Sequence, residues 1–186
     1  MKLYVSIVSL LIGFGFAQET LISPENVLSV VTADWNSDAA FDRAVLVATE
    51  PTFSELFIYL SDTESSTMNL ALHMSDAAWR GAMWGTQPTL ELNEVGSLQI
   101  YSANDVVGRN RWRQTLTVAY REGEFILAGY TYTAYDTLNL DNQLVCDLNL
   151  VTGEGTKNEV PITFDMPAPA MTEVTSEFYP EICHDR

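Results

Sequence analysis

Basic residues are scarce in this chain. Nine Lys and Arg stand against 25 Asp and Glu in 186 residues, a formal charge of −16, and a surface of that sign disfavours nucleic acid and anionic membranes as partners. Histidine and cysteine are scarcer still, with two of each. His73 falls in a strand-like run and His184 two residues before Arg186, so neither reads as the oriented base of a catalytic triad. Zinc-ligand spacing, a Gly-rich phosphate loop and a Gly-x-Ser-x-Gly elbow are all missing. No block of roughly 20 to 50 residues repeats, which argues against a solenoid or propeller array. After the N-terminus no apolar run approaches the ~20 residues that cross a bilayer as a helix, so membrane insertion is not expected.

The N-terminus itself is different. Met1-Lys2 precedes an uncharged, mostly apolar run from Leu3 to Phe16, and Gly15 and Ala17 put small residues at the −3 and −1 positions of a cleavage site. Residues 1–17 therefore read as a signal peptide cut after Ala17, and residues 18–186 as one exported domain, periplasmic or extracellular. In an oxidising compartment Cys146 and Cys183 read as a disulfide stapling the proline-bearing segment between them, two free buried thiols being the alternative.

Short β-branched and aromatic runs fill the chain. Arg43–Ala48 and Phe53–Leu60 read as a hairpin about the turn Glu50-Pro51-Thr52, and further strands are expected over 68–74, 89–92, 97–101, 112–120, 124–133 and 144–150. Near the start, Ser23-Pro24-Glu25 could open a short helix, whereas 27–31 is equally good strand material. In the run before the turn Glu122-Gly123, Trp112, Leu116, Val118 and Tyr120 share one face and Arg109, Arg111, Arg113, Thr115, Thr117 and Arg121 the other. The whole predicts a single antiparallel all-β domain, propeller-blade-like or sandwich-like, with residues 165–176 as an irregular tail held mainly by the disulfide.

One loop carries chemistry. Asp34, Asn36, Asp38 and Asp42 put oxygen side chains at positions 1, 3, 5 and 9 of a nine-residue stretch, with the Ala40 carbonyl at position 7. Calcium takes six to eight hard oxygen ligands, and alternating acidic residues in a tight loop supply them. Ala39 at position 6 and Val45 at position 12 exclude an EF-hand, which needs Gly and a bidentate Glu there. The same residues would also make an Asx-rich turn with no metal at all.

The stretch 34–60 resembles the calcium loop and following hairpin of FG-GAP or VCBS-type repeats, the blades of integrin-like propellers, in which an Asp-x-Asp-x-Asp-Gly-x-x-Asp loop precedes a strand such as Arg43-Ala44-Val45-Leu46-Val47. That resemblance implies calcium held by the loop. With one such loop in a chain of this length, it does not imply a complete propeller. The remainder, with Trp79-Arg80-Gly81-Ala82-Met83-Trp84-Gly85-Thr86, Gly108-Arg109-Asn110-Arg111-Trp112 and Cys146-Asp147-Leu148-Asn149-Leu150, is similar to small exported bacterial proteins of uncharacterised function. It implies a compartment and an architecture, and no activity.

Arg109, Arg111 and Arg113 form a basic stripe that either holds a protein or glycan ligand through bidentate guanidinium bonds or is neutralised by carboxylates of adjacent strands. Taken together, the residues predict a calcium-binding, non-enzymatic module that acts by binding. The competing class is a hydrolase built on two distant carboxylates, which would show as a cleft with the pair about 5 to 9 Å apart.

Overall fold

The computed structural model describes residues 22–183 apart from Ser66. The signal segment 1–17 with its cleavage site, and His184, lie outside the described residues. Eleven strands are formed: β1 (Val27–Ala33), β2 (Asp42–Val47), β3 (Phe53–Asp62), β4 (Thr67–Trp79), β5 (Thr89–Leu92), β6 (Leu98–Asn104), β7 (Asn110–Arg121), β8 (Glu124–Asp136), β9 (Asn139–Asn149), β10 (Glu154–Lys157) and β11 (Val160–Thr163). The described residues otherwise hold only single 3-10 turns, so the fold is all-β. At the start of the chain both readings are realised in succession, since Pro24–Asn26 is such a turn and β1 follows it directly.

Each strand pairs antiparallel with the one before it inside its sheet. Sheet A has the order β1-β2-β3-β4, and sheet B runs from β5 to β11 without a crossover. The reason lies in the turns. Glu122 (φ 54°) and Gly123 (φ 89°) both take the left-handed conformation that a two-residue hairpin requires, and the Asn93 side chain accepts amide bonds from Val95 and Ser97 ahead of β6.

Period-two patterning sets the faces. Leu56 and Ile58 of β3 and Leu72 and Met74 of β4 point inward from sheet A, and Leu98, Ile100, Leu116, Val118, Leu127 and Leu148 from sheet B, into one shared core. The sheets also meet directly: Ser29 Oγ on β1 takes the Leu90 amide of β5 at 3.1 Å, and the Trp79 and Trp112 rings lie 5.2 Å apart. This shared core makes the domain sandwich-like. Trp112 is half-buried on the inner side of β7, as its face predicts, and next to it the sequence pattern concealed Gln114. That side chain is buried, and its Nε2 donates to the Phe178 carbonyl at 2.9 Å.

Two features differ from expectation. Strands β10 and β11 were not legible, because Glu-Gly-Thr-Lys and Val-Pro-Ile-Thr lack apolar alternation and their turn, Asn158-Glu159, uses positive φ at two residues other than Gly. Gly155 is required there, since a Cβ would collide with the Asp147 carbonyl oxygen. The tail after residue 164 is irregular but far from loosely held. Met171 and Val174 are buried in the core, the Leu127 amide donates to the Pro169 carbonyl at 2.9 Å, and the Ser176 amide donates to the Asp76 carbonyl at 3.0 Å. The segment thus straps β8 of one sheet to β4 of the other, and the Cys146–Cys183 disulfide, with Cα atoms 5.7 Å apart, closes it.

Candidate functional site

The 34–42 segment is the connection from β1 to β2. Its oxygens turn onto the loop's own backbone. Asp34 accepts from the amides of Asp38 (3.0 Å) and Ala39 (2.9 Å), Asn36 Oδ1 shares the Asp38 amide at 3.2 Å, and Asp38 Oδ1 accepts from the Ala40 amide at 2.8 Å. Asn36 Nδ2 then donates to Asp38 Oδ2 at 2.9 Å, so the side chains of positions 1 and 3 meet at the Asp38 amide and that of position 5 is tied to position 3. The backbone bends through left-handed conformations at Ser37 (φ 60°) and Ala39 (φ 69°). Each costs on the order of 1 kcal/mol for a residue with a Cβ, which the Asx bonds offset.

Asp42 behaves differently from its neighbours. It is fully buried, and its two oxygens accept the amides of Trp35 and Ser61, both at 2.9 Å. It ties the loop to β3. Trp35 in turn sits edge-on to Phe125 and donates its indole N–H to the Gly96 carbonyl at 3.2 Å, which fastens the loop to sheet B. Among the described residues, no group of three or more His, Cys, Asp or Glu side chains is gathered as a ready metal cage.

The arginines of the stripe are separated by their partners. Arg109 makes a two-pronged ion pair with Asp136, whose carboxyl it holds below the ordinary carboxylate range, and Arg113 Nε lies 3.0 and 2.9 Å from the two oxygens of Asp105. Arg111 is half-buried, and its Nη1 is enclosed without a hydrogen-bond partner among the described residues.

Sequence reasoning missed a groove on the outer face of sheet A. Glu55, Phe57 and Tyr59 alternate outward along β3, and the register Phe57↔His73 brings His73 of β4 beside them. The His73 ring stacks on Phe57 at 4.4 Å and 11°, Tyr59 lies nearly parallel to Phe57 at 6.5 Å and 14°, and His73 Nε2 is 2.7 Å from Glu55 Oε2. Burial would raise the Glu55 carboxyl, but the Thr49 hydroxyl and His73 outweigh it and leave it below its ordinary range. With the rim residues Ser23 and Asn26, these side chains bound a cavity of about 830 Å³. Period-two alternation in 53–60 was the signal, since it places an acid and two aromatics on the face opposite Leu56 and Ile58.

Comparison of the chain with family models, with curated proteins and with solved structures finds no match.

Proposed function

We propose that this protein is an exported β-sandwich module that works by binding, with a calcium ion in the β1–β2 loop as its structural brace. One observation carries the calcium assignment: Asp34 and Asn36 both direct a side-chain oxygen at the Asp38 amide, so hard oxygens from alternate residues converge within a single turn. A carboxylate offers about four acceptor sites, and amide bonds use one or two of them, which leaves capacity for a cation. Asp34, Asn36, Asp38 and the Ala40 carbonyl would hold the ion, with Asp42 beneath them and water completing the shell. What calcium supplies is charge neutralisation where acidic side chains crowd. Export is supported by the N-terminal pattern and agrees with the disulfide.

The fully satisfied amide bonds favour a second reading, in which the loop is a metal-free Asx knuckle. A thermal melt separates the two. A site without a bidentate Glu should bind with Kd on the order of 0.1 to 1 mM, so about 5 mM calcium should stabilise the fold by about 1 to 2 kcal/mol. Asp34→Ala and Asp38→Ala should each abolish that increment, and magnesium should give little of it. An unchanged melting temperature between chelator and calcium would leave the knuckle as the account. Non-enzymatic action is part of the same proposal, and turnover of a glycoside or ester substrate by the purified protein would replace it with the hydrolase reading.

A further inference from the structure

We propose that the groove on the outer face of sheet A is a binding site for a neutral saccharide. It takes up the general claim that the protein acts by binding, and stands independently of the calcium loop. The groove combines two kinds of surface. Phe57, Tyr59 and the 54 % exposed Leu70 present apolar area, while Glu55, His73 and Thr49 present donors and acceptors within the same concavity. A cavity of about 830 Å³ falls in the range of small-molecule sites, which run from about 300 to 1,000 Å³.

The chemistry narrows the ligand by elimination. An anion meets Glu55 and a chain of net charge −16, and is repelled by both. A wholly apolar ligand would strip water from Glu55, Thr49 and His73 and return no hydrogen bonds, a loss that is greatest at the carboxylate. A metal cation finds a single carboxylate, already bonded to His73 Nε2 at 2.7 Å and to Thr49, with no second acid beside it among the described lining residues to complete a set of hard oxygens. A pyranose satisfies every wall at once. Its C–H face covers an aromatic ring, and its hydroxyls donate to the lone pairs that Glu55 and the Thr49 hydroxyl keep, since Thr49 and His73 Nε2 already donate to Glu55. The His73 ring is locked between its stack on Phe57 and its bond to Glu55, so these polar atoms are positioned before a ligand arrives.

Isothermal titration with cellohexaose, chitohexaose, maltohexaose and mannohexaose, run in calcium and again in chelator, tests the site. A lysine-rich peptide is titrated in parallel. At least one saccharide should bind in both buffers. Tyr59→Ala and Glu55→Gln should each weaken it by about tenfold, with circular dichroism and the melting temperature unchanged. Either variant suffices if the other is destabilised. No binding of any of the four up to about 10 mM, binding that both variants leave intact, or binding of the peptide alone would overturn the proposal. A calcium-dependent rise in melting temperature beside a flat saccharide titration would reject the groove and spare the loop.

Discussion

Two irregular segments of this protein are held in opposite ways. The rim of the 34–42 loop is fixed by bonds that reach at most five residues along the chain among Asp34, Asn36 and Asp38, while Asp42 and Trp35 anchor its ends to β3 and to sheet B. The strap after residue 164 makes short backbone turns, but among its described residues no cluster of Asp and Asn side chains folds onto the backbone. It is fixed by Met171 and Val174 in the core, by backbone bonds to both sheets, and by a disulfide to a residue 37 positions earlier. A segment held by its own short polar side chains keeps lone pairs near solvent and is able to rearrange around a cation. A segment held by distant apolar and covalent contacts holds the two sheets together and has no such freedom.

Three experiments sharpen or break this contrast. The largest effect is expected from the Cys146→Ser, Cys183→Ser double variant, which should lose about 3 to 4 kcal/mol of stability in chemical denaturation. If it loses under about 1 kcal/mol, the apolar contacts alone suffice for the strap. Next, Asp42→Ala strands the part-buried amides of Trp35 and Ser61 and should cost about 2 to 3 kcal/mol in any buffer. The smallest effect belongs to Asp34→Ala, which exposes two amides to water and should cost about 1 kcal/mol in chelator. Equal losses for Asp34→Ala and Asp42→Ala in chelator would mean that the loop is a single rigid unit and that the anchor is not distinct from the rim.

The same contrast explains what could be read in the sequence. The all-β class, the β2–β3 and β7–β8 hairpins and the Cys146–Cys183 bridge follow from alternation, turn residues and cysteine parity, which are local or compositional. The loop residues were likewise found by spacing. What spacing does not contain is that Asp42 turns inward to Trp35 and Ser61 while Asp34 stays at the surface, because that depends on where β3 lies. The strap reads in the sequence as an irregular tail held mainly by the disulfide for a similar reason. Met171 and Val174 sit among prolines and threonines with no periodicity, and only the packed sheets give them a core to enter. The sheet A groove needed the register of β3 on β4, which brings His73 to Phe57.

Strand order has a consequence for how the molecule is made. Within each sheet every strand after the first pairs with the one synthesised just before it, and no parallel pair waits for a crossover. A chain emerging N-terminus first can therefore lay down β1 to β4 in order, start a second sheet with the β5–β6 pair, and then add β7 to β11 one at a time, each on a neighbour already in place. In the finished fold the Cys146–Cys183 bond lies at the far end of a strap that has crossed between the sheets. The bridge therefore locks an arrangement that only two packed sheets present, since Met171 and Val174 lie between them.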